Sequence, residues 1–228
     1  MTAPLIRTPE PELMDSPEQV AAYAGADFTE SNLRFSEILR SELAATPAGR
    51  LIDLGCGPAD ICVRIARALP DWRIHAVDAG ENMLAAARTR IEREGLGSRI
   101  ELVHSRLPDT GLPSHAFECV VSNSLLHHLP DPRVLWQSIA RLAAAGAWIQ
   151  VMDLARPDSP AAVRELVEQY AGGEPTVLKD DFCNSLHAAW RVDEVRDQLR
   201  DAGLRLDCAR VSDRHWLVSG RLPGTSEP

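Results

Sequence analysis

The residues best placed to do chemistry stand at the ends of two apolar runs. Leu51-Ile52-Asp53-Leu54-Gly55-Cys56-Gly57-Pro58-Ala59 reads as a strand that enters a glycine turn and opens a helix. Such a turn lets the backbone approach a ligand and aims free N–H groups at it. The dinucleotide fingerprint requires Gly or Ala three residues after the second glycine; Asp60 stands there, beside the place of a pyrophosphate. No G-K-[ST] follows, which excludes a nucleoside-triphosphate loop. An acid-x-Gly-x-Gly turn suits a zwitterion without phosphate: Asp53 accepts from an ammonium, directly or through water, and the glycine backbone lies against a sugar and a thioether. Asp78 ends the next run, where a carboxylate can accept two hydrogen bonds from a ribose diol. Asp78-Ala79-Gly80-Glu81-Asn82-Met83-Leu84 then turns into a helix, and the Met83 thioether can pack on an adenine face.

A second group follows the fourth run. His127 and His128 come after Ser122-Asn123-Ser124, at a strand's carboxyl end, where open α/β sheets bind ligands. Adjacent residues should point different ways, so one of them faces the pocket as a proton acceptor; the alternative is a pair of turn-stabilising histidines. Asp153 ends the fifth run and either orients that base or pairs with Arg156. No carboxylate or cysteine stands at ligand spacing nearby, so no metal is expected. Asp180 to Trp190 is dense in polar and aromatic side chains for a connector, which suggests a lid whose Asn184, His187 and Trp190 meet the substrate; the alternative is simple packing of Phe182 and Trp190. Arg214 and His215 read as strand residues on a solvated face, with contact to a substrate anion as the alternative, and His75, His104 and His115 as structural.

These positions need a scaffold, and the pattern from Arg50 to about residue 153 supplies one. LIDL (51–54), RIHAV (73–77), RIELV (99–103), FECVVS (117–122) and AWIQVM (147–152) are strand candidates. IARAL, ENMLAAARTRIERE and PRVLWQSIARLAAA lie between them as helices, closed by Pro70, Gly95 and Gly146. Alternating strands and helices specify right-handed crossovers and a mostly parallel sheet covered on both faces, a doubly wound α/β domain. Beyond Pro157 come a helix near 159–171, an irregular stretch over 174–191, and the helix VDEVRDQLRDAG. LRLDCARV and RHWLVSG, joined at Ser212 and Asp213, predict an antiparallel hairpin at one sheet edge. Ser16-Pro17-Glu18-Gln19 is a helix start, and a second helix covers about 30–45. The expected organisation is a disordered tail over 1–15, a helical cap over 16–48, the α/β domain over 49–221 with a lid-like insert at about 155–191, and a second disordered tail over 222–228.

The 228 residues, 45% hydrophobic and 25% charged, suffice for one sizeable core. With 24 basic and 33 acidic side chains, the formal charge of −9 repels phosphate backbones and anionic membranes. Lys179 is the lone lysine and accompanies no arginine stripe, so no nucleic-acid partner is expected. No run approaches the roughly 18 apolar residues that span a bilayer, and Pro4, Pro9 and Pro11 stand where a signal peptide would be apolar. Five cysteines at irregular spacing, without C-x-x-C, fit a reducing compartment. The expectation is a cytoplasmic protein without membrane insertion, with a homodimer contact available to exposed Trp or Leu on the insert.

The span from Leu51 to Pro157 resembles class I S-adenosylmethionine-dependent methyltransferases. LIDLGCGPA is similar to the family's first motif, Asp78 to its ribose-binding acid, and FECVVSNSLLHHLPDP to the small-molecule branch that includes ubiquinone and menaquinone C-methyltransferases. The resemblance implies a seven-stranded Rossmann-like fold and S-adenosyl-L-methionine as cofactor. It implies contacts from Asp53, Gly55, Cys56, Gly57, Asp78, Ala79 and Met83, with Asn123 near the methionine end. Ser105-Arg106-Leu107 replaces the family's usual adenine-binding acid, which leaves backbone contacts at Arg106 and Leu107. Tyr23 lies on a helix of the kind that closes over the cofactor and substrate. The implied activity is methyl transfer to a small-molecule acceptor, with His127, His128 and Asp153 as the catalytic candidates. Rival readings are an RNA or other macromolecule methyltransferase and a non-catalytic cofactor-binding scaffold.

Overall fold

The computed structural model describes residues 5–224; what the sequence leads one to expect of residues 1–4 and 225–228 lies outside them. In chain order the elements are α1 (Pro17–Gly25), α2 (Thr29–Leu43), β1 (Gly49–Leu54), α3 (Asp60–Ala68), β2 (Trp72–Asp78), α4 (Glu81–Arg93), β3 (Ile100–His104), β4 (Phe117–Asn123), a 3-10 turn (Leu126–His128), α5 (Arg133–Leu142), β5 (Ala143–Leu154), α6 (Pro160–Ala171), α7 (Thr176–Ala188), α8 (Val192–Asp201), β6 (Asp207–Arg210) and β7 (His215–Arg221). Helix starts follow local chemistry. Ser16 Oγ accepts from Gln19 N and Ser159 Oγ from Ala162 N, each at 3.2 Å with a proline at the first helical turn.

The strands form one seven-stranded sheet in the order β3-β2-β1-β4-β5-β7-β6. The first five are parallel, and β7 runs antiparallel to both β5 and β6. This is the expected mostly parallel sheet ending in an antiparallel hairpin. The chain leaves β1 for β2 on one side and returns to β4 on the other, so a crevice opens at the carboxyl ends of β1 and β4.

Alternate residues of β1 serve opposite faces. Leu51 packs with Phe35, Leu39, Ile65 and Ile74 toward α2, α3 and α4. Ile52 and Leu54 pack with Leu135, Trp136, Ile139, Val195 and Trp216 toward α5 and α8. Burial on both faces explains why the strands read as near-continuous apolar runs. Phe35, Leu39 and Leu43 of α2 belong to this core.

Four local expectations are corrected. The helix PRVLWQSIARLAAA ends at Leu142, because Ala143 pairs with Phe117 and the sheet outweighs alanine's helix propensity. A bulge follows, with Gly146 at φ +73°. The stretch 174–191 is not irregular: α7 packs on α6 through Val163, Leu166 and Leu186. Residues 5–15 form no helix or strand, yet they are held as a strap rather than disordered. Leu5 N donates to Asp158 O and Thr8 N to His187 O. Arg7 donates to Ala188 O and His127 O, with its guanidinium 4.0 Å from the Trp190 ring centre. At the other end, Leu222 N still donates to Ala147 O, so the chain leaves the sheet later than expected. Among the described residues no helix is long and apolar enough to cross a membrane.

Arg7→Ala should strand two carbonyl acceptors and lose the stacking on Trp190. Urea denaturation should report a loss of about 1–3 kcal/mol. A change below about 0.5 kcal/mol, typical of a surface substitution, would mean that the strap is not held by this residue.

Candidate active site

The glycine loop after β1 is built on left-handed backbone. Gly55, Gly57 and Ala59 have φ of +76°, +50° and +62°. A Cβ on Gly55 would stand 2.8 Å from Leu125 Cδ1, whereas one on Gly57 would meet open space. Gly55 N and Cys56 N both donate to Val77 O at 2.9 Å, which fastens the loop to the end of β2. Asp78 completes the tie: Oδ2 accepts from Gly57 N and Oδ1 from Gly80 N, each at 2.8 Å. A carboxylate oxygen has two lone pairs, so each keeps capacity for a ligand hydroxyl. Burial pushes the Asp78 pKa up, against the pull of these N–H groups. Asp53 is 1% exposed and accepts from Cys62 Sγ at 3.1 Å. Its burial, opposed only by that weak donor, pushes it up to about 7. Met83 begins α4 beside the loop, and Asp15 from the strap caps that helix through Met83 N at 3.0 Å and Asn82 N at 3.3 Å.

At the other end stands the 3-10 turn after β4. Its three residues per turn do not send neighbouring side chains to opposite sides. The rings of His127 and His128 lie 4.1 Å apart, tilted by 36°, and both reach the cavity. The expectation that only one faces it is thereby corrected. Asp153, at the end of β5, accepts from His127 N at 3.1 Å and from His127 Nδ1. Glu10 of the strap meets the two rings, with Oε1 3.5 Å from His127 Nε2 and 3.1 Å from His128 Nδ1. Burial disfavours charge on His127, but Asp153 and Glu10 outweigh it and hold the pKa above its ordinary value. Burial drops His128 to about 3, so it is neutral. Burial also raises Glu10. The absence of a carboxylate at ligand spacing holds for the local sequence and fails in three dimensions.

Both ends open into one cavity of about 640 Å³. Asp53, Gly55, Cys56, Gly57, Asp78, Ala79, Met83, Arg106, Leu107 and Asn123 all line it, as do His127, His128 and Tyr23. Asn123 Oδ1 is buried without a hydrogen-bond partner. Arg106 reaches Glu12 of the strap at 3.5 Å. Tyr23 packs against Phe28 at 4.7 Å between ring centres, and burial raises its hydroxyl to about 12. Asp153 does not line the cavity and acts on it only through His127.

The substrate candidates on the insert fall elsewhere. Leu178, Asp181, Phe182 and Ser185 line the cavity, at the i, i+3, i+4, i+7 spacing of one helical face. Asn184 and His187 lie off that face and line a smaller cavity with Thr8, Glu10 and Cys183. Trp190 lies under Arg7. An irregular segment has no helical phase, and it is the phase of α7 that decides which of its side chains face the cavity. Arg214 and His215 also line the main cavity, not a solvated face, with Arg214 over the Tyr170 ring at 3.4 Å.

Comparison with known proteins agrees with this arrangement. Residues 51–146 match the family described as "Methyltransferase domain". The trans-aconitate 2-methyltransferase of Mycolicibacterium gilvum is 35% identical over 184 residues, covering 79% of this chain and 67% of that protein. An uncharacterized methyltransferase of Mycobacterium tuberculosis is 27% identical over 172 residues, covering 75% of this chain and 83% of its own. Among solved structures, an S-adenosyl-L-methionine-dependent methyltransferase of Methanococcus maripaludis superposes with a TM-score of 0.70 at 15% identity, over 96% of this chain and 98% of that one. That likeness shows the fold. Taken with the sequence match, it makes the chain a member of the class I S-adenosylmethionine-dependent methyltransferases, and S-adenosylmethionine is its cofactor.

Proposed function

We propose that this chain transfers the methyl group to a small-molecule acceptor, with the cofactor at the glycine-loop end of the cavity and the acceptor at the histidine end. The observation that carries the reading is one continuous cavity with a carboxylate-lined end and an imidazole-lined end. The residues fit the cofactor. Gly57 leaves room where a Cβ would project, Asp78 keeps lone pairs for a diol, and Asn123 Oδ1 awaits a donor. Asp53, Gly55, Cys56 and Ala79 would complete the polar wall, and Met83, Arg106 and Leu107 the adenine side.

When bound, the cofactor supplies a methyl group already activated on a sulfonium. The protein therefore aligns the reactants and excludes water. The α7 face and Tyr23 would close the acceptor end. His127 and His128 are the catalytic residues we assign, with Asp153 as a positioning residue. Asp153 accepts from His127 Nδ1 and so turns Nε2 toward the cavity side, where it is the nitrogen placed to take a proton from an acceptor. A relative named for trans-aconitate, a small molecule, supports the acceptor class. The formal charge of −9 weighs against an RNA or DNA substrate.

Calorimetry with S-adenosylmethionine should find binding to the wild-type chain, weakened about tenfold to hundredfold in Asp78→Ala through lost hydrogen bonds to a charged group. No binding to the wild type would reject the assignment of this cavity. The double variant His127→Ala, His128→Ala should keep its cofactor affinity and lose at least about 100-fold in kcat on an accepted substrate; unchanged turnover would remove both from catalysis. A wild type that binds the cofactor but methylates no member of a broad acceptor panel would favour the scaffold reading.

Asp53 predicts a pH effect. Its folded pKa of about 7 lies above the ordinary carboxylate value, so the folded chain holds a proton that the unfolded chain releases. The associated stability is present at acid pH and lost as pH rises through about 7. A cofactor ammonium beside Asp53 favours the ionised form, so binding expels that proton. Affinity should therefore rise about tenfold per pH unit up to about 7 and then level off. In Asp53→Asn the slope should vanish; persistence of the slope would assign it to another group.

A further inference from the structure

Glu10, His127 and His128 converge more closely than proton transfer requires. His127 Nε2 and His128 Nδ1 approach one and the same oxygen, Glu10 Oε1, at 3.5 and 3.1 Å. The ligand atoms of all three lie within 4.8 Å of one another. Tetrahedral zinc, about 2.0–2.1 Å from N and O ligands, sets neighbouring ligand atoms about 3.3 Å apart, so these separations match a coordination shell. His128 Nδ1 is also sealed from solvent without a hydrogen-bond partner, which leaves its lone pair unused.

The surroundings complete the pattern. Asp153 accepts from His127 Nδ1 and from His127 N, which fixes the tautomer and leaves Nε2 to Glu10. A carboxylate behind a histidine is the arrangement that orients metal-binding imidazoles and raises their basicity. Ser185 Oγ reaches both oxygens of Glu10 at 3.2 Å and fixes the third group in turn.

We propose that Glu10, His127 and His128 bind one divalent zinc-class cation, with Asp153 positioning His127 and a fourth coordination position open. Two nitrogens and one carboxylate suit Zn²⁺ or another first-row transition ion, whereas Mg²⁺ and Ca²⁺ prefer oxygen alone. Three protein ligands with one open position is the pattern of catalytic zinc sites. Since His127 and His128 line the main cavity, an oxygen or sulfur atom of the acceptor would take that position; with the cation bound the two imidazoles would be its ligands, and the cation rather than a free imidazole would ease loss of the acceptor's proton. This last point rests on the proposed placement of the acceptor; cation binding does not.

The test is calorimetric titration of the full chain with ZnCl₂ and, separately, MgCl₂. One Zn²⁺ per chain is expected, with Kd below about 1 μM and no Mg²⁺ binding. Glu10→Gln and His128→Ala should each weaken Zn²⁺ at least tenfold, and Asp153→Asn about 10- to 100-fold, while urea denaturation checks that each variant is folded. Cys183 and His187, 3.9 Å apart on the far side of Glu10, are a competing source of ligands, so Cys183→Ser, His187→Ala should keep wild-type affinity. The proposal is overturned if the wild type binds no Zn²⁺ saturably, if Glu10→Gln and His128→Ala both stay within twofold of it, or if the Cys183/His187 variant abolishes binding. The cofactor titration on the same preparation separates the two readings: a chain that binds S-adenosylmethionine but not Zn²⁺ refutes this inference alone.

Discussion

The hydrogen bond from Gly57 N to Asp78 Oδ2 joins the turn after β1 to the end of β2, and the shape of the cofactor end follows from it. Parallel pairing of Leu54 with Val77 brings the two strand ends side by side, so Asp78 meets the glycine loop without a long side chain. Gly55 N and Cys56 N then close on Val77 O, and Gly80 N on the second carboxylate oxygen. Each backbone donor in this turn would otherwise be unpaired in a buried place, at a cost of about 1–3 kcal/mol. Left-handed backbone, which glycine adopts without steric strain, permits the arrangement at Gly55 and Gly57. A substituent at Gly55 would in addition press on Leu125 and so disturb the turn that carries the histidines. The two ends of the cavity are thus mechanically linked.

Carboxylates crowd this cavity, and the protein meets their burial in different ways. Asp78 has two backbone N–H groups, Asp153 has His127, and Asp53 has only a cysteine thiol. The weaker the partner, the more the charged form is disfavoured. Burial and poor pairing thus leave Asp53 near 7, while His127 holds Asp153 below the ordinary carboxylate range despite its burial. A ligand bearing an ammonium would supply the positive partner that Asp53 lacks. Pairing at the histidine end is different in kind, because there the protein brings its own imidazoles and a fourth carboxylate, Glu10.

How far the sequence revealed all this depends on the range of the interactions. The βα repeats were legible because each strand and helix announces itself within about ten residues, through apolar runs closed by glycine or proline. The glycine loop, Asp53, Asp78, Met83, Asn123 and the two histidines were legible for the same reason: they sit at the ends of those elements, which the parallel sheet brings to one edge. Helix α7 was not, since the polar content of TVLKDDFCNSLHA gives a weak amphipathic signal and its burial depends on α6. With the helix went its phase, so Asn184 and His187 were chosen over Asp181, Phe182 and Ser185. The alanines at 143–145 mark the opposite failure, a strong local preference overridden by strand pairing with Phe117.

The strap over residues 5–15 shows most clearly why local pattern was insufficient. Nothing within that segment rewards order: it has no periodicity and forms no helix or strand. Its order comes one side chain at a time from distant partners, Arg7 on Trp190, Glu10 on Ser185 and the histidines, Glu12 on Arg106, Asp15 on the start of α4. Pro9 and Pro11 restrict the unfolded chain and lessen the entropy lost on docking. Because successive contacts run from the acceptor end to the cofactor end, the strap is continuous with both. Glu12, Leu13 and Met14 line the main cavity, while Glu10 stands in the wall that separates it from the smaller one. The strap thus supplies side chains to both cavities and a cap to the start of α4.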